Sequence, residues 1–201
     1  MGNAMVTDPS NPDAAIGEAT LNRTALDERV AAAAYPNASS DIAALMVFDH
    51  QGHALNLLTR LGWETRIAMA ESRLDFTRGE LREVVNETAD YLLFVDEARL
   101  DAPIGASSAF ATVFSAAGPR DSRGRSLRDF DLMRRLFRYR CSYMVQSPAF
   151  DGLPGEARAA LMARMRAILS GGVADPRYAS FTVGEREAVL AILRDTVKGW
   201  S

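Results

Sequence analysis

From Ser39 to Val197 the apolar residues recur at every third or fourth position, and nowhere do they alternate at every second position over the length of a strand. This periodicity predicts amphipathic helices and excludes a parallel sheet as the main architecture. Ser39, Ser40 and Asp41 supply N-caps for a first long helix that continues past Leu61 toward Met69. Gly52 and Gly62 each cost about 1 kcal/mol against alanine inside it and predict a bend or break near Gly62. A second long helix spans Thr77 to Glu97, with Leu81, Val84, Val85, Thr88, Leu92 and Val95 as its apolar stripe. It is expected to pack antiparallel to the first.

Three more helices follow from their start and stop signals. Ser126 and Asp129 form a variant of the capping box, which predicts a helix to Gln146 that ends at Ser147-Pro148. On it Leu132, Leu136, Tyr139 or Arg140, and Tyr143 or Met144 would share one face. Pro154 at a first-turn position and Gly171-Gly172 bracket the next helix, whose apolar positions are Ala157, Ala160, Leu161, Met165, Ile168 and Leu169. Thr182 and Glu185 make a full capping box for the last, which carries Val189, Leu190, Ile192, Leu193 and Val197. Shorter helices at Thr24 to Ala34 and Ser108 to Ala117 bring the expected number to between five and seven.

The fold class read from this pattern is all-α, an irregular bundle around a central antiparallel pair formed by residues 41–69 and 77–97. Residues 1–20 are rich in Asn, Pro, Asp and Ala and read as a loose arm, leaving 21–201 as one helical domain. A chain of 201 residues is long enough for such a core. Apolar runs such as Ala43 to Phe48 stop far short of the roughly 18 residues of a membrane span, so a soluble protein is expected. No Arg- or Lys-led apolar segment opens the chain.

A net charge of −3 argues against a general nucleic-acid binder, which needs clustered excess base. The single cysteine, Cys141, excludes an internal disulfide and a Cys-rich metal site, and it reads as a small buried residue.

Chemistry concentrates in two places. Both histidines, His50 and His53, lie in the first helix, where Asp49, His53, Asn56, Arg60 and Glu64 fall within about 80° of one another and form a polar stripe. The remaining faces are mostly apolar, with Val47, Phe48, Leu55, Leu57, Leu58 and Leu61, so this helix is expected to sit centrally with its stripe turned toward a neighbour. One reading of the stripe is a structural network, with Arg60 bonded to Glu64 or Asn56 and His53 to Asp49. A second is a metal site built from His50, His53, Glu87 and Asp90, since the i, i+3 spacing of Glu87 and Asp90 resembles that of di-iron bundles, although no Glu-x-x-His pair occurs. A third is a histidine or methionine ligand to non-covalent haem, or a docking surface for a haem protein.

The other place is Gly118 to Arg128, where Arg120, Arg123, Arg125 and Arg128 surround an expected helix start and could hold a phosphate or carboxylate. The spacing of a phosphate-binding loop is absent. Farther on, Arg134, Arg135, Arg138 and Arg140 are expected to pair with Glu83, Glu87, Asp90, Asp96 and Glu97. Residues 98–125 hold two prolines and three glycines, and so long a connection reads as a partly helical surface crossover or, alternatively, as a lid or a partner surface.

Gly118-Pro-Arg-Asp-Ser-Arg-Gly-Arg-Ser-Leu-Arg-Asp-Phe-Asp-Leu132, Leu136-Phe-Arg-Tyr-Arg-Cys-Ser-Tyr-Met144 and Ala188-Val-Leu-Ala-Ile-Leu-Arg-Asp195 resemble the C-terminal portion of uncharacterised bacterial proteins, some associated with c-type cytochrome segments. The likeness extends over residues 40–198. It implies an extracytoplasmic, periplasmic setting near electron-transfer proteins, and it implies no catalytic residues. The function expected is a non-enzymatic binding or accessory module associated with a redox or haem-protein partner. The alternative is a metal- or haem-binding bundle, acting as an enzyme or sensor through His50, His53, Glu87 and Asp90.

Overall fold

The computed structural model of the protein describes residues 10–11, 41–104 and 109–200. The chain divides into two compact units, Met1–Ile42 and Ala43–Ser201, and the helical core belongs to the second. The arm expected at 1–20, the helix expected at 24–34 and residues 105–108 of the connection lie outside the described residues.

Among the described residues the protein is all-helical, with six α-helices and no strand. They are α1 (Ile42–Ala70), α2 (Gly79–Leu92), α3 (Ala109–Ala116), α4 (Pro148–Asp151), α5 (Gly155–Leu169) and α6 (Val183–Thr196). None is long and apolar enough to cross a membrane. The 3₁₀ turns Tyr143–Gln146 and Pro176–Tyr178 connect them.

α2 packs most extensively against α5, and α5 against α6. The stripes read from the sequence form these contacts. Leu81, Val84, Val85, Thr88 and Leu92 of α2 are buried, as are Ala157, Leu161, Met165, Ile168 and Leu169 of α5 and Val189, Ile192 and Leu193 of α6. The capping box of α6 closes in both directions, since Glu185 N–H donates to Thr182 Oγ1 and Thr182 N–H donates to Glu185 Oε2.

α1 runs unbroken for 29 residues, so the break expected near Gly62 does not occur. Gly62 is buried, and a Cβ there would stand 3.5 Å from Leu153. The glycine lets α1 approach the turn before α5 without interrupting the helix.

α2 ends at Leu92, five residues before the expected Glu97. No glycine marks the stop. Instead Phe94 takes the left-handed conformation at φ +52°, Phe94 N–H donates to Tyr91 O, and Val95 N–H donates to Asp90 O. This is the Schellman closure that glycine ordinarily makes, and Gly171 makes it after α5 at φ +78°. A β-carbon there costs on the order of 1 kcal/mol. The Phe94 ring, stacked 4.8 Å from His50, supplies a packing reason for accepting that cost.

The helix expected over 126–146 is absent. The capping signal is real locally, because Ser126 N–H donates to Asp129 Oδ2 and Arg128 N–H to Ser126 Oγ. The chain then folds back on itself. Phe130 and Phe137 form an antiparallel bridge, Arg138 N–H donates to Asp129 O, and Asp131 Oδ1 accepts from the amides of Met133 and Arg134. Leu132 sits at φ +57°, which no continuing helix allows. Even so, Leu132, Leu136, Arg140, Tyr143 and Met144 are buried. Their spacing announced burial correctly and helix wrongly.

Candidate functional site

α1 lies at the edge of the bundle, and its three faces have different fates. Val47, His50, Ala54, Leu58 and Leu61 point into the core. The polar stripe is not enclosed against a neighbouring helix but borders α2 along its edge: Asp49, His53, Asn56 and Arg60 are exposed and Glu64 is half-buried. Arg60 Nη1 donates to Glu87 Oε2 of α2 at 2.9 Å, not to Glu64 or Asn56. His53 lies with its ring 4.4 Å from Tyr91.

The third face is apolar and open. Leu45, Phe48, Leu55 and Trp63 are 43%, 76%, 44% and 65% exposed. At 100° per residue they fall within an arc of about 80°, on the side roughly opposite the buried face. Exposed Gly52 and Thr59 occupy the same arc. A shallow cleft of about 280 Å³ continues this face where Trp63, Thr59, Gly62 and Arg66 meet Ala149, Gly152 and Leu153. Arg66 frames it by donating to the carbonyls of Gly62 and Gly152.

The metal set proposed from sequence is not assembled. Glu87 is taken by Arg60, while Asp90 accepts from Arg177 Nη1 and from the Tyr178 hydroxyl, both at 2.8 Å. His50 is 6% exposed, and its Nε2 shares a 2.7 Å hydrogen bond with Ser142 Oγ. Its ring stacks on Tyr91 and Phe94 and is approached by Phe137 and Tyr143. Burial, and then the neighbouring His53, lower its pKa from 6.5 to about 4, so the imidazole is neutral at physiological pH. Nε2, a nitrogen through which His50 could ligate a haem iron, is thus engaged by Ser142 inside this enclosure. Among the described residues, no three His, Cys, Asp or Glu side chains are grouped to hold a metal ion.

The arginine cluster also resolves into structural roles. No helix begins at residues 120–128, so the expected anion cradle is missing. Arg120 pairs with Asp129 and donates to the carbonyls of Gly124 and Ser115. Arg125 pairs with the buried Asp121, whose carboxylate also accepts the amides of Arg123 and Arg125. Arg128 lies over the edge-to-face pair of Phe114 and Tyr143, at 4.9 and 5.0 Å from the two rings. Arg123 stays exposed beside a basin that also contains Arg194, Glu187 and Asp195, so the charges there are mixed.

The basic segment beyond finds other partners than the α2 acids expected for it. Arg135 pairs with Glu185. Arg140 donates to Phe94 O and Ser180 Oγ and covers the Phe181 ring at 3.7 Å. Asp96 and Glu97 act on Arg140 only as nearby negative charge. Cys141 is fully buried, as expected, and burial pushes its thiol pKa up, away from thiolate chemistry.

The open apolar face was legible as composition, since Leu45, Phe48, Leu55 and Trp63 recur at helical spacing. What sequence could not supply was which of two apolar arcs on the same helix is covered. Comparison with protein-family models, with curated proteins and with solved structures finds no match for this chain.

Proposed function

We propose that the protein is a non-enzymatic docking module whose interaction surface is the outward apolar face of α1. One observation carries the reading: Leu45, Phe48, Leu55 and Trp63 stand exposed in a row about 27 Å long on a rigid helix. A contiguous apolar surface of this kind, rimmed by polar residues, is characteristic of an association site. Trp63 beside its cleft has the form of an energetic anchor, because a large aromatic next to a recess can exchange side chains with a partner. Asp49, His53, Asn56 and Arg60 provide the polar rim.

The polar groups with chemical potential support the same reading, because the geometry commits them to structure. His50, Asp90, Arg125, Arg128 and Arg140 all have internal partners. Residues 98–125 were the expected partner surface, and much of the described part packs inward through Ile104, Phe110 and Phe114. The face of α1 is the better candidate. A redox or haem protein is the partner class that the sequence resemblance implies, and a Soret band in co-eluting material tests it.

Photo-crosslinking from an aromatic probe at Phe48 or Trp63, compared with the same probe at exposed Val183 on α6, tests the surface itself. The reading expects adducts, to another protein or to a second copy, from the α1 positions and not from Val183. Equal yields at all three positions, or none, would refute it.

A further inference from the structure

Resting on that docking reading, we infer that the occupant of the α1 face is a second copy of the same chain, with the two α1 helices crossing antiparallel about a two-fold axis near Leu55. The argument is self-complementarity. Leu45, Phe48, Gly52, Leu55 and Thr59 follow a three-four-three-four spacing, the seam geometry of paired helices. Along this seam the large rings stand toward the two ends, at Phe48 and Trp63, and the small residues lie between, at Gly52 and Thr59. Reversing one helix about a point between Leu55 and Asn56 sets Phe48 against Trp63 of the other copy and Gly52 against Thr59. Leu55 meets its own symmetry mate. The space around Gly52 is open, since a β-carbon at that position would meet nothing within 4 Å, and a facing helix has room to approach closely.

The flank obeys the same symmetry. Asp49, His53, Asn56 and Arg60 all lie on one side of the seam, with the acid at one end and the base at the other. A two-fold axis normal to the plane of the two helices keeps each flank on its own side while reversing its direction. Asp49 then faces Arg60 of the second copy, and His53 faces Asn56. A parallel two-fold would carry the two flanks to opposite sides of the seam, so Asp49 and Arg60 of the two copies would not meet. Arg60 can serve both partners, because its bond to Glu87 uses one nitrogen and its side chain is 47% exposed. A single exposed helix face makes a small contact of the weak, transient kind, so a reversible dimer is expected rather than a permanent one.

Sedimentation velocity of the full chain from low micromolar to millimolar concentration is the first test, and it should show a reversible monomer–dimer equilibrium. Phe48→Asp and Trp63→Asp should weaken it at least tenfold with helicity and thermal midpoint unchanged, since both side chains are exposed. Asp49→Arg should weaken it several-fold, and Asp49→Arg with Arg60→Asp should restore it. Orientation is read by oxidation: Leu55→Cys links to itself, and a mixture of Gly52→Cys and Thr59→Cys gives the mixed disulfide over either homodimer.

A parallel crosslinking pattern, or a dimer indifferent to Phe48→Asp and Trp63→Asp, overturns the inference. So does a monomer at every concentration, and acrylamide quenching then tells why. Trp200 is buried, so quenching reports Trp63. A protected Trp63 in a monomer assigns the cover to another part of this chain. An accessible Trp63 that crosslinks only to a different protein leaves the docking function standing without self-pairing, whereas an accessible Trp63 with no adduct removes both.

Discussion

Replacing His50 by phenylalanine should abolish a defined portion of the protein's pH-dependent stability. His50 is enclosed by Tyr91, Phe94, Phe137 and Tyr143 and hydrogen-bonded to Ser142, and its pKa is lowered from 6.5 to about 4, first by burial and then by His53. Between those two values the unfolded chain binds a proton that the folded chain refuses. Stability therefore rises with pH through this window; the contribution is complete above 6.5 and lost as pH falls toward 4. Displacing the equilibrium from 6.5 to about 4 corresponds to about 3 kcal/mol. Carboxylates held below their usual range, such as Glu185, which accepts from the Thr182 amide and hydroxyl and then from Arg135, also withdraw stability on acidification, but they are common to both proteins and cancel in the difference.

Urea denaturation of wild type and His50→Phe at a series of pH values measures the effect. The wild-type-minus-variant curve should fall by about 3 kcal/mol between pH 6.5 and 4 and stay flat above 7. Proton NMR of the imidazole, assigned with a His53→Gln variant, should place the His50 titration near 4. A flat difference curve, or a His50 titrating at its ordinary value, would refute the closed aromatic enclosure and with it the burial of α1's inner face.

Other perturbations separate structural from peripheral contacts. Thr182→Ala breaks the capping box of α6 and should cost about 1 kcal/mol by chemical denaturation. Arg140→Met removes the donors to Phe94 O and Ser180 Oγ from a site 8% exposed and should cost about 2–3 kcal/mol in the same assay. Arg60→Ala, which opens an exposed ion pair with Glu87, should change stability by no more than about 0.5 kcal/mol. Cys141 should react with a disulfide reagent only on unfolding, so thiol release in native buffer should track the unfolding rate.

Local signals along the chain were enough to place the helices whose start, stop and periodicity agree. α5 and α6 carry a cap at one end and a 3.6-residue stripe along their length, so their stripes became the core without help from distant residues. The all-helical class followed from the same periodicity. Other features depend on residues far apart in the chain. The stop of α2 at Leu92 depends on a left-handed Phe94, whose ring packs against His50 more than forty residues earlier in the chain. The segment after Ser126 has a helical start signal, yet Phe130 meets Phe137 across a turn because that arrangement buries Phe137 against Phe114 and Tyr143 and partly buries Phe130 against Phe114. Local propensities amount to tenths of a kcal/mol per residue, whereas burying one aromatic side chain is worth about 1.5–3 kcal/mol, so packing overrides them. On α1 the periodicity marks two apolar arcs separated by a polar stripe, and only the positions of α2 and the residues around Ser142 settle which arc is covered. The partners of Glu87, Asp90 and the arginines of residues 120–140 were set by proximity in space, which spacing along the chain does not encode.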